Sequence, residues 1–142
     1  MIINFHPKEI PSKTGASLIN QLATESSDTV AHVADKTVEE WQAIIKSEEK
    51  MTFVGPMYWW GLGYEMDKWI QGVFGYNFAF SFDTGTPQGL LAGRQFYMHI
   101  THGTPTEQAK PQIDNITERL TKGIFGYCDS KIDITFHQEI RG

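Results

Sequence analysis

The chain holds a single cysteine, Cys128, among its 142 residues. That excludes an intrachain disulfide framework and any cysteine cluster for zinc or iron–sulfur ligation. Basic runs are missing too: 12 Lys and Arg stand against 17 Asp and Glu, for a formal net charge of −5. A nucleic-acid partner, which needs a basic face to neutralise phosphates, is therefore not expected. No uncharged apolar run is long enough to span a bilayer. Met1-Ile-Ile-Asn-Phe5 has no basic leader and breaks at His6-Pro7, so it reads as neither signal peptide nor membrane anchor. Neither GxGxxG nor a Walker loop occurs, which removes the dinucleotide and nucleoside-triphosphate fingerprints. These absences point to one cytoplasmic globular domain over 1–142.

Aromatic residues are abundant, at 13 % of the chain, and they concentrate between Met51 and Phe82. Met51-Thr-Phe-Val54 is a short apolar run of β-forming residues, read as a buried strand that stops at Gly55-Pro56. Met57, Tyr58, Trp59 and Trp60 follow on a turn, before a helical pattern from Tyr64 to about Phe74. Four bulky side chains on one turn cannot all enter one core. They make either a crowded hydrophobic corner or the wall of a crevice suited to a flat heteroaromatic ligand.

Taken in order, Ile2–Phe5 reads as a first strand. Ser12-Lys13-Thr14 follows as a hydroxyl-rich turn, with Ser12 placed to cap a helix whose apolar residues are Leu18, Ile19 and Leu22. Free amides, a helix dipole and Lys13 make that turn a candidate anion site, although such loops also occur as plain caps. Thr29–Val33 is a second strand, and Val38, Trp41, Ile44 and Ile45 form the core stripe of a second helix. Met66, Trp69, Ile70 and Val73 line the third helix. Phe78-Ala-Phe80-Ser-Phe82 alternates, as a strand or as an extended loop facing a cleft. Asp83–Gly93 is the longest loop. Arg94–Thr101 forms the fourth strand and ends in the polar turn His102-Gly103-Thr104-Pro105. A helix from about Glu107 to Lys122 is closed by Gly123, and Lys131–Ile140 makes the last strand. His6 shapes the first loop, His32 is structural, and His99 and His137 are strand residues. Cys128, without a basic neighbour, reads as a buried core thiol rather than a nucleophile.

Four strand–helix units followed by one strand predict an α/β fold. The expected form is an open parallel five-stranded sheet of flavodoxin-like order 2-1-3-4-5, with helices on both faces and the terminal helix missing. In that order the turns after strands one, three and four meet at one crevice, which favours a flavin. The uncovered last strand predicts a homodimer.

With these segments in place, the chain resembles the flavodoxin-like NAD(P)H:quinone oxidoreductases, of the quinone reductase and modulator-of-drug-activity type. That family carries an HP…S loop after strand one, a P-L-Y-W turn, an L-K-x-W-x-D-x-V-F helix, a G-F-A-Y segment, a T-T-G-G turn and a G-I-x-x-F-C-G ending. Here these read as His6-Pro7…Ser12, Pro56-Met57-Tyr58-Trp59, Met66–Phe74, Asn77-Phe78-Ala79-Phe80, Thr101-His102-Gly103-Thr104 and Gly123–Cys128. The resemblance implies a flavin-bound homodimer that passes hydride from NAD(P)H to quinones or similar small acceptors. FMN fits the small chain better than FAD. Carried over, Ser12, Lys13 and Thr14 hold the flavin phosphate. Pro56, Met57, Tyr58, Trp59 and Trp60 run along the ring system, and Thr101, His102, Gly103 and Thr104 face its pyrimidine end. Phe80 and Phe82 stand over the substrate pocket. Where the family has T-T-G-G this chain has Thr-His-Gly-Thr, and nothing near Glu107–Pro111 matches the tyrosine and histidine that assist hydride transfer in some members.

In the enzymatic reading the turn amides at Gly103 and Thr104 stabilise charge building on the reduced ring. His102 then adds a donor or a cation there, as the candidate catalytic residue, or else acts only as a hydrogen-bonding spacer. The alternative is a non-catalytic flavin-binding electron carrier or a regulatory subunit of a partner protein. No metal site is expected.

Overall fold

The computed structural model describes residues 1–139. Its centre is β3, Lys50–Tyr58, whose seven residues between the two ends are all buried. A strand covered on both faces reads as a continuous apolar run rather than an alternation, and Met51–Met57 does so. On one side β3 pairs in parallel with β1, Ile2–Asn4, which pairs in turn with β2, Val30–His32. On the other side it pairs with β7, Gln95–His102, and β7 pairs with β8, Lys131–Gln138. The sheet order is β2-β1-β3-β7-β8, the expected flavodoxin-like 2-1-3-4-5 once the short strands are set aside.

β3 does not stop at Gly55-Pro56 as the composition suggests. Phe5 N–H donates to Val54 O at 2.8 Å, and neighbouring residues of a strand face opposite partners, so Pro56 faces the β1 side as Val54 does. There β1 has already turned away, and no ladder bond needs the proline N–H. Gly55 marks a close approach: a Cβ there would lie 2.7 Å from Met66 Cε and 3.0 Å from Phe5 Cβ.

Four helices connect the strands: α1 Lys13–Ser26, α2 Val38–Ser47, α3 Tyr64–Val73 and α4 Thr106–Glu118. Ser12 caps α1 by accepting from Gly15 N–H, and Thr37 caps α2 in a reciprocal box with Glu40. Gly123 does not close the last helix. The chain continues from α4 through a wide π-helical turn, Arg119–Phe125, and Gly123 lies inside it.

The two faces of the sheet are unequal. Trp41, Phe53, Trp69, Phe74, Phe96 and Phe125 form one aromatic core under α2, α3 and α4. On the opposite face a smaller cluster gathers beneath α1, with Ile2, Val54 and Ile19 buried and Leu18, Leu22 and Ala23 partly buried against them. The β7–β8 half of that face presents exposed Asp133 and Thr135 beside half-buried Tyr97, His99 and His137. This surface is polar, so water can cover it without a large apolar penalty.

The segment after α3 sits at the amino end of the sheet. It holds a small antiparallel pair, β5 Phe80–Ser81 with β6 Gln88–Gly89, and Leu91 N–H donates to Cys128 O at 2.9 Å just ahead of β8. β4, Gly61–Leu62, folds back on the end of β3. Among the described residues no helix is long and apolar enough to cross a membrane.

Candidate functional site

The parallel strands deliver three turns to the carboxyl edge of the sheet, where a cleft of about 680 Å³ opens. Ile10 contributes from the β1 loop, and Pro56, Met57, Tyr58 and Trp59 come from the end of β3. Thr101, His102, Gly103 and Thr104 come from the end of β7, and Glu139 follows β8. A recess of about 190 Å³ adjoins it, walled by Trp59, Trp60 and the His102–Thr104 turn.

The aromatic wall is held by an unusual turn. Trp59 and Trp60 are the two loop residues of the β3–β4 hairpin, with φ of +49° and +66°. A two-residue turn with both φ positive suits the twist of a hairpin, but it normally takes asparagine and glycine. Two tryptophans there carry backbone strain. Trp59 is also 96 % exposed, so packing does not repay that strain.

His102 forms the floor. It is 2 % exposed, and its Nδ1 lies 2.8 Å from Thr104 O. A carbonyl can only accept, so Nδ1 carries the proton and Nε2 is left as a bare lone pair. Nε2 is buried with no hydrogen-bond partner. A buried acceptor without a partner is costly and asks for a donor. The N–H groups of Gly103 and Thr104 find no acceptor among the described residues. At the cleft the turn therefore offers two unpartnered donors, the amides of Gly103 and Thr104.

His6 bolts the first loop to β7. Its Nδ1 donates to Asn4 Oδ1 at 3.2 Å, and its Nε2 accepts from Thr101 Oγ1 at 2.9 Å. Burial holds its pKa below the usual histidine value; Glu139 opposes this and His32 adds to it. Gly15 lets α1 come this close, because a Cβ there would fall 2.5 Å from the His6 ring. His32 is structural as expected: its Nδ1 accepts from Ala34 N–H and its Nε2 donates to His6 O. His99 and His137 stack across β7 and β8, nitrogen to nitrogen at 2.9 Å.

Pro56–Trp60 and Thr101–Thr104 are thus brought together. Lys13 is exposed on α1, and neither it nor Thr14 lines the cleft. Ser12 reaches the cleft through Glu139, whose Oε1 accepts its hydroxyl at 2.6 Å. Phe80 and Phe82 are not at the cleft of their own chain. They cluster with Tyr76 and Tyr127 at the opposite end of the sheet, because α3 carries the chain down before they occur. Glu139 and Ile10 are lining residues that sequence reasoning missed. No local signal marks Glu139, which lies 127 positions from the serine it meets. Cys128 is a buried thiol, pushed up to about 11 by burial.

A five-stranded parallel sheet with helices on both faces and a polar and aromatic cleft outside its carboxyl edge defines the doubly wound α/β class of folds. A family model described as "Flavodoxin-like fold" matches residues 1–137, and the chain belongs to that family. An uncharacterized NAD(P)H oxidoreductase from Haemophilus influenzae is 24 % identical over 98 residues, covering 68 % of this chain and 48 % of that protein. The match therefore spans about half the relative's length. Among solved structures, an NADPH-quinone reductase from P. pentosaceus aligns with a TM-score of 0.77 at 19 % identity, covering 96 % of this chain and 83 % of that one. An FMN-dependent NADH-azoreductase from Bacillus anthracis, in complex with FMN, aligns at 0.69 and 17 % identity, covering 96 % and 85 %. Both share the fold.

Proposed function

We propose that the chain binds a flavin in this cleft and acts as an NAD(P)H-dependent oxidoreductase that passes hydride to a quinone or similar small acceptor. The observation that carries the flavin is the pair of unpartnered amides at Gly103 and Thr104, set in the same cleft as the Trp59 and Trp60 wall. The pyrimidine edge of an isoalloxazine carries two carbonyl oxygens, which ask for such donors. Trp59 and Trp60 supply flat apolar surface beside it. FMN is the form bound by the azoreductase of similar fold, and FAD is the alternative.

Bound flavin would supply the hydride chemistry between nicotinamide and acceptor. The residues of this chain hold, orient and neutralise. Met57 and Thr101 shape the buried floor, and the Tyr58–Trp60 turn limits water at the ring face. The Gly103 and Thr104 amides point partial positive charge at the edge where negative charge grows on reduction. His102 holds its resting proton at Nδ1 against Thr104 O. A second copy of the chain is part of the proposal, set against the exposed rim of Trp59, Trp60 and Tyr64, since the β7–β8 face is polar.

A second reading is a flavin-binding carrier or a regulatory subunit without turnover. The position of Phe80 and Phe82, away from the cleft, favours it, because it leaves the acceptor pocket without its expected walls. The experiment is an absorbance spectrum of the purified chain with added flavin, followed anaerobically by NADPH and then NADH. Flavin bands that bleach with a nucleotide and return with a quinone support the reductase. Bands that persist support the carrier or subunit, and a chain that binds neither added FMN nor FAD refutes the flavin.

A further inference from the structure

The amino end of α1, where a flavin phosphate would sit, is met by a carboxylate of the same chain. Ser12 Oγ accepts from Gly15 N–H at 2.9 Å and donates to Glu139 Oε1 at 2.6 Å, so both of its roles are already taken. Glu139 is not a loose side chain at this point. Its backbone N–H donates to His102 O at 2.7 Å, which continues the β7–β8 ladder by one more residue and fixes where the carboxylate reaches. The carboxylate lines the same 680 Å³ cleft as the unpartnered Gly103 and Thr104 amides, so a ligand held by those donors shares the cleft with this charge.

No described cation neutralises Glu139. Lys8 faces Asp35 at 4.0 Å, and Lys13 makes no ion pair with Glu139. The charge is instead satisfied by the Ser12 hydroxyl and by the positive end of the α1 dipole, which is what an incoming anion would use.

We propose that Glu139 is a specificity-determining residue that penalises a phosphate at this end of the cleft. The chain then binds riboflavin at least as tightly as FMN. A phosphate dianion arriving at Ser12 must displace the carboxylate or share the helix end with it, and either costs binding energy that the uncharged ribityl chain of riboflavin does not meet. The inference rests on the flavin reading above and concerns only which flavin is preferred.

The test is a fluorescence-quenching titration of the full chain with riboflavin and with FMN at fixed ionic strength. It compares the native protein with Glu139→Gln, which keeps the shape and removes the charge, and with Glu139→Ala. The expected result is a rise of about ten-fold or more in FMN affinity in both variants, with riboflavin affinity moving by less than about three-fold. An unchanged FMN-to-riboflavin ratio, or equal changes for the two ligands, overturns the role of Glu139 while leaving the flavin reading standing. Failure of all three proteins to bind riboflavin, FMN or FAD overturns the flavin reading itself, and this inference with it.

Discussion

The Trp59–Trp60 turn holds its strain in the open, and this yields a measurable trade between stability and binding. Both residues sit at positive φ, where a side chain crowds the backbone at a cost of about 1–2 kcal/mol per residue. Trp59 is 96 % exposed and Trp60 44 %, so removing the first ring forfeits almost no burial and removing the second forfeits a modest part. Replacing the pair with the residues such a hairpin favours, Trp59→Asn with Trp60→Gly, should therefore stabilise the protein by about 1–2 kcal/mol net. For a chain of this size that is a rise of roughly 3–8 °C in Tm, or a matching shift in urea midpoint at unchanged slope. The same variant should lose about ten-fold in flavin affinity, because the apolar wall of the adjoining recess has gone. Urea unfolding followed by circular dichroism and a flavin titration read the two effects separately. A variant no more stable than the native protein would show that the turn stores no strain. A more stable variant with undiminished affinity would show that the strain does not serve the cleft.

Three further outcomes follow from the buried polar groups. Burial lowers the pKa of His6, His99 and His137 from 6.5, so the unfolded chain takes up protons first as pH falls. Stability should be flat above about pH 7 and should decline from about pH 6.5 downward; the decline should flatten in a His99→Gln, His137→Gln double variant, and an unaltered slope there would refute the assignment. Gly15→Ala should destabilise by about 1–3 kcal/mol through collision with the His6 ring. His6→Ser in the same background should recover part of that loss, measured as a coupling energy by chemical denaturation. Cys128, buried with its thiol pushed up to about 11, should resist a disulfide reagent at neutral pH in the folded chain and react at once in denaturant.

The fold was legible because its signals are local. Hydrophobic period marks α2 and α3, Ser12 announces α1, and the alternation of strand and helix confines the topology to a parallel sheet. The failures are equally physical. Gly55-Pro56 reads as a stop in one dimension, yet Pro56 is harmless where β1 has already left, a fact that belongs to the neighbouring strand. Gly123 reads as a helix end, yet the chain widens into a π turn that keeps Leu120 and Phe125 buried against the core. Phe80 and Phe82 read as cleft residues because their spacing fits an extended wall. The length of α3 sends them to the other end of the sheet.

The site divides along the same line. Pro56–Trp60 and Thr101–Thr104 follow directly from strand ends, so any reading that places β3 and β7 side by side brings them together. Glu139 has no such advantage. It acquires its position from the β8 register, which carries its amide onto His102 O, and from Ser12 at the far end of the chain. Sequence around Ser12 describes an anion site with hydroxyls, amides and a lysine. The folded chain brings its own anion to it and leaves Lys13 in solvent. The sign of the charge at that end is therefore a property of the tertiary structure, and two chains with the same Ser-Lys-Thr turn can differ in their preference for a phosphorylated flavin through one residue beyond their last strand.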